Sequence, residues 1–158
     1  MSIASWRWPV VAALCCVALV GCRSPEPPRP AVGVEKIESA ALRTDREPIE
    51  KRYPQLGAFT DVHWLGGTLG DDRVPGPSLY FIEAAVQLRP DDATALRQQY
   101  AFVPAADPSP PGPLTGHLGG SGWTASPELD RAVSPTGWTV HVHLRSDRPV
   151  AYVSARGE

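Results

Sequence analysis

The most regular pattern in the chain lies near its C-terminal end. Trp138–Arg145 (WTVHVHLR) alternates strictly, with Trp138, Val140, Val142 and Leu144 on one side and Thr139, His141, His143 and Arg145 on the other. Successive side chains of a strand point to opposite faces, so this segment predicts a strand with an inward apolar face and an outward polar one. Ser146-Asp147-Arg148 reads as a turn and Pro149–Ala155 as the returning hairpin partner. A second clear strand is Leu79–Leu88 (LYFIEAAVQL): Tyr80, Ile82, Ala84, Val86 and Leu88 share one face, while Glu83 and Gln87 fall on the other. Phe59–Leu65 (FTDVHWL) predicts a third, shorter strand.

Helical spacing is scarcer. After Pro90, apolar residues recur at Ala93, Leu96 and Tyr100, which predicts a helix over Asp92–Phe102, with Asp91 placed to accept a bond from a first-turn N–H and Asp91-Asp92 favoured by the helix dipole. Ser126-Pro127-Glu128 has the form of a second start, Ser as cap and Pro in the first turn, for a short helix ending near Ala132. Val34–Arg46 carries only a thin stripe of Val34, Ile37 and Ala41, the pattern of a marginal helix. The segments between are rich in breakers: Gly66–Pro77, and Ala105–Gly122 with four prolines and five glycines, both read as long loops. The expectation is an α+β domain: a small antiparallel sheet of three to four strands with one face against the Asp92–Phe102 helix and the other face in water.

The N-terminus breaks from these periods altogether. Pro9–Gly21 is an uncharged apolar run of thirteen residues behind Arg7, long enough for a signal-peptide core and too short for a membrane-spanning helix. It ends in Leu19-Val20-Gly21-Cys22, which resembles the lipobox of bacterial lipoproteins; that resemblance implies acylation of the Cys22 thiol and cleavage before it. The alternative is an ordinary secretory signal with a chance cysteine. Residues 1–21 are thus expected to be a signal peptide. Residues 22–46 are expected to be a lipid-anchored Pro-rich tether with the marginal helix, and 47–158 a single domain. Arg23–Pro30 holds four prolines in eight residues, the composition of an extended spacer of about 3.1 Å per residue. The expected location is the extracytoplasmic face of the cell membrane.

Composition narrows this picture. All three cysteines, Cys15, Cys16 and Cys22, fall in the export segment, so the expected domain has neither disulfide nor thiolate ligand. The whole chain has a net charge of -2 and the part after residue 21 a net charge of -3, against the basic balance expected of a nucleic-acid partner.

Chemistry is sparse. His141 and His143 share a strand face and could ligate a metal together, with His63 or His117 as a third ligand, but the spacing fixes no third ligand. Gly119–Trp123 lacks the last glycine of a nucleophile elbow; Gly66–Gly70 keeps the glycine spacing around Thr68 but not the strand–helix context. There is no phosphate-binding loop, dinucleotide fingerprint or HExxH pattern. The stretch Trp64–Tyr80 sets Trp64, Asp71, Asp72, Arg73 and Tyr80 among glycines beside a strand, a composition suited to a ligand-contacting loop. The competing reading has Trp64 capping the core and Arg73 pairing with Asp71 or Asp72.

Arg73-Val74-Pro75-Gly76-Pro77-Ser78-x-Tyr80 precedes a strand, a helix to Tyr100-Ala101 and a Pro-rich loop, and Trp123–Leu129 (Trp-x-x-Ser-Pro-x-Leu) and a final hairpin follow. This series, over residues 60–158, resembles small lipoproteins from high-GC actinomycetes. Thirteen arginines against two lysines suit such a genome. The resemblance implies location and domain size and carries no catalytic residues. The expected protein is a non-catalytic binding or interaction module without cofactor, held to the membrane through Cys22 and meeting an envelope protein or ligand. The alternative is a small envelope enzyme or metal-binding protein built on His141 and His143 or on the Trp64–Tyr80 loop.

Overall fold

A computed structural model describes residues 36–69 and 78–158. Its centre is one six-stranded sheet in which every neighbouring pair is antiparallel: β1 (Phe59–Thr68), β2 (Tyr80–Leu88), β3 (Val103–Pro104), β4 (Trp123–Ala125), β5 (Trp138–Arg145) and β6 (Val150–Gly157). The spatial order is β1-β2-β6-β5-β4-β3, so the C-terminal strand inserts between the two halves of the domain. Helices α1 (Glu47–Arg52), α2 (Pro90–Gln99), α3 (Gly112–Leu118) and α4 (Pro127–Val133) flank it, with a 3₁₀ turn at Pro54–Leu56 and a helical stretch at 36–38.

Both faces of the sheet are covered. On the first face, Val62, Ile82, Val86, Val142 and Val153 pack beneath Ile49 of α1, Tyr53, Leu56, Ala93 and Leu96 of α2, and Leu129 and Val133 of α4. On the second face, Leu65, Phe81, Ala85, Val150, Tyr152 and Trp123 form a separate core closed by Leu114 and Leu118 of α3. Strands β2 and β6, both interior to the sheet, accordingly show no alternation: Phe81–Val86 and Val150–Val153 are buried without interruption. A strand buried on both sides reads as a continuous apolar run, and Phe81 and Ala85, opposite the Ile82 face, supply the second half of that run.

These findings overturn the expected three to four strands on one helix with a wet outer face. The two extra strands, β3 and β4, are two and three residues long, too short to leave a periodic signature. The long loop expected over Ala105–Gly122 contains α3, which begins with Pro113 in its first turn and buries only Leu114 and Leu118, one turn apart. Arg145, expected outward, is only 3% exposed. Its guanidinium binds both carboxylate oxygens of Asp147 and the Gly119 carbonyl, and lies 5.4 Å from the Trp123 ring.

Local chemistry explains the rest. Ser126 caps α4 by accepting from the Leu129 N–H, with Pro127 in the first turn. The expected Asp91 cap on α2 does not form; Asp92 accepts from Ala58 N–H instead, tying α2 to the approach of β1. Since β4 pairs only with His143–Arg145, the first half of β5 would be an open edge. Helix α4 closes it: Ser134 Oγ accepts from Val140 N–H and Asp130 Oδ1 from Val142 N–H. Within the expected 34–46 helix only 36–38 is helical among the described residues; Arg43 is extended and exchanges two backbone bonds with Trp64 on the free edge of β1.

Candidate functional site

On the first face, at the end of the sheet where β1 finishes and β2 begins, a groove of about 480 Å³ lies between the strands and α1. Gly66, Ile82 and Tyr80 form its floor, Trp64 and Trp138 its two ends, and Pro48, Ile49 and Arg52 its helical wall. The floor exists because two glycines let tryptophans lie flat on the sheet. A Cβ on Gly157 would sit 2.2 Å from the Trp138 indole, and one on Gly66 would sit 2.8 Å from that of Trp64. Each indole carries an arginine on its other side: the Arg43 guanidinium is 4.8 Å from the Trp64 ring centre and Arg52 4.5 Å from Trp138. Trp64 is further fixed by its Nε1–H, which donates to the Asp45 carbonyl at 3.0 Å.

The sequence reading singled out Trp64 and Tyr80, and the fold brings both to this groove, in different parts. Trp64 is 5% exposed and works mainly as a wall of the core, whereas Tyr80, on the groove floor, is 44% exposed. Asp71, Asp72 and Arg73 lie outside the described residues. Sequence reasoning missed Arg43, Arg52 and Trp138, which come from three separate segments. Only the repeated juxtaposition of Trp with Gly and Arg, invisible before the chain folds, marks them.

The histidines divide into two places. His141 Nδ1 lies 3.0 Å from Asp130 Oδ2 at the edge closed by α4, beside a shallower depression of about 580 Å³. His143 stands two residues on; its Nδ1 is buried without a hydrogen-bond partner, and burial lowers its pKa, opposed by the Asp130 charge. His63 and His117, the proposed third ligands, stack on one another across β1 and α3 with ring centres 3.5 Å apart, and His63 Nδ1 is 3.4 Å from Asp61. Burial and the neighbouring His63 lower the His117 pKa. Among the described residues, no group of three or more His, Cys, Asp or Glu side chains is arranged to hold a metal ion.

A third polar feature crosses the second face. Glu83 is 2% exposed and accepts from Tyr152 Oη at 2.5 Å, from Ser154 Oγ at 3.2 Å and from the Arg156 guanidinium. Burial first, and then the Glu83 charge and hydrogen bond, push the Tyr152 hydroxyl well above the usual phenol range. Its register explains the cluster: Glu83 pairs with Ser154, with Tyr152 and Arg156 two residues to either side on the same face. A carboxylate held by three donors is a structural clamp between β2 and β6.

Cys22 lies outside the described residues, and no helix among them is long and apolar enough to cross a membrane. No protein-family model, no curated protein and no solved structure matches this chain.

Proposed function

We propose that this is an exported, lipid-anchored protein of the cell envelope whose folded part is a non-catalytic binding module. The observation that carries the binding reading is the groove between α1 and the sheet, because it combines aromatic walls, an apolar floor and fixed positive charge in one concavity. Arg43 and Arg52 bring two planar guanidinium groups, hydrogen-bond donors suited to anions, to this concavity. The anchoring reading rests on the apolar run and lipobox-like Leu19–Cys22. Two acyl chains would hold such a protein on a bilayer stably where one would not.

The test has two arms. The unaltered chain should fractionate with membranes and a Cys22→Ala variant should not; a variant that is still processed and retained contradicts the anchor. In pull-downs from envelope extract, a Trp138→Ala variant with an unchanged urea midpoint should lose whatever the parent captures through the groove. Equal capture by both would contradict the assignment of binding to that groove.

A further inference from the structure

The charge around the groove is unbalanced in a way that indicates what it takes. Helix α1 and its N-cap Arg46 contribute two acids and three bases, and the acids are matched among them: Glu47 pairs with Lys51 at 2.6 Å and Glu50 with Arg46 at 4.0 Å. That leaves Arg52 turned onto Trp138. Arg43, on the extended strand that borders β1, is turned onto Trp64. Neither guanidinium makes an ion pair with a carboxylate among the described residues. Among the described residues, the only acid lining the groove is Glu158, whose backbone N–H donates to Gly137, next to Trp138. Among the described residues the lining thus sets two guanidiniums against one carboxylate, and Arg43 has no carboxylate partner.

The dimensions follow from the sheet. Gly66 on β1 and Gly157 on β6 are separated by two interstrand spacings and a two-residue stagger, roughly 12 Å across Ile82 and Tyr80. The indoles lying over these two glycines flank an apolar strip of floor formed by Ile82 and Tyr80. An arginine stacked on an indole keeps its N–H edge available, and its planar fork suits carboxylate, sulfonate or phosphate. The stack itself is weak at a solvent-facing site, so it positions the cation without consuming its charge.

Resting on the reading of this groove as the binding site, we propose that its ligand is an amphipathic anion: a flat, mainly apolar body lying over Ile82 between Trp64 and Trp138, with its anionic group on Arg43. Arg43 is the specificity-determining residue, and Arg52 supports the Trp138 wall.

The experiment uses two dyes with the same ring system, anilinonaphthalene sulfonate and its uncharged analogue N-phenylnaphthylamine. They are titrated into the full chain carrying Cys22→Ser, which removes only the lipid acceptor. The sulfonate should bind saturably at one equivalent and at least tenfold more tightly than the neutral dye, and weaken with added salt. Arg43→Gln should bring the sulfonate down to the neutral dye's affinity without moving the neutral dye, and Arg43→Lys should retain most of the preference. An unchanged urea midpoint for each variant separates charge loss from unfolding. Equal affinity for the two dyes, or a sulfonate affinity indifferent to Arg43→Gln, overturns the anionic assignment while leaving the groove as a binding site. Failure of both dyes to bind overturns the groove reading as well.

Discussion

Replacing Glu83 by alanine should be among the most damaging single changes in this domain, and the structure allows the cost to be worked out. The carboxylate is buried at the join of β2 and β6 and accepts from three groups at once. Removing one member of a buried ion pair costs about 3–5 kcal/mol when the partner is left desolvated. Here the Arg156 side chain is 39% exposed and can turn to water, which puts the ionic loss at the low end. The Tyr152 hydroxyl cannot escape in that way, since the residue is 4% exposed, and an unsatisfied buried donor costs about 1–3 kcal/mol. These losses overlap, and about 3 kcal/mol is the expected total. With a urea slope of about 2 kcal/mol per M, the unfolding midpoint should fall by about 1.5 M, read by tryptophan fluorescence. Glu83→Gln keeps one acceptor oxygen but gives up the charge and turns the other acceptor into an NH2 donor, so it should cost about 1–2 kcal/mol, less than the alanine variant. A loss under about 1 kcal/mol for the alanine variant, or a glutamine variant as damaged as the alanine one, would refute the description of Glu83 as a clamp held by three donors.

Two further outcomes follow from the covered second face. Leu114 of α3 is fully buried, so Leu114→Ala should destabilise by about 2–4 kcal/mol in urea; a change under about 0.5 kcal/mol would mean that α3 does not cover the sheet. Burial lowers the pKa of both His117 and His143, so on acidification the unfolded chain takes up protons that the folded one refuses. Their contribution is fully present above the unfolded value near 6.5 and is lost as pH falls through the lower folded values. The urea midpoint should therefore fall between about pH 7.5 and about pH 5.5, and by less in the His117→Gln, His143→Gln double variant; an equal fall in both proteins contradicts the assignment.

How far the sequence could be read depended on how much of each element's environment was local. The strand at Trp138–Arg145 was legible because Val140, Val142 and Leu144 follow a period of two, and all three are in the core. Ser126-Pro127 was legible because capping is a short-range hydrogen bond, and Ser126 makes it. The second layer was not legible. Helix α3 has the sequence Gly112-Pro113-Leu114-Thr115-Gly116-His117-Leu118, in which proline and glycines have poor helix propensity and two leucines make the whole apolar face. It stands because a preformed sheet face receives those leucines. The spacing of Leu114 and Leu118 was the one available sign. Arg145 illustrates the opposite error: a charged residue at an alternating position reads as outward, and only the fold shows Asp147, Gly119 and Trp123 gathered around it. The groove suffers from the same non-locality. Trp64 and Tyr80 were visible as aromatics among glycines, but Arg43, Arg52, Trp138 and Gly157 become a site only when β6 inserts between β2 and β5.

The groove claim is tested most directly by following the indole N–H resonances of Trp64, Trp138 and Trp123 in the tryptophan-labelled full chain while anilinonaphthalene sulfonate is added. Trp64 and Trp138 line the groove, whereas Trp123 lies in the core of the opposite sheet face. The account predicts that the Trp138 and Trp64 signals shift together along one saturation curve while Trp123 stays in place. A shift of Trp123 alone, or saturable binding that moves neither Trp64 nor Trp138, would contradict it.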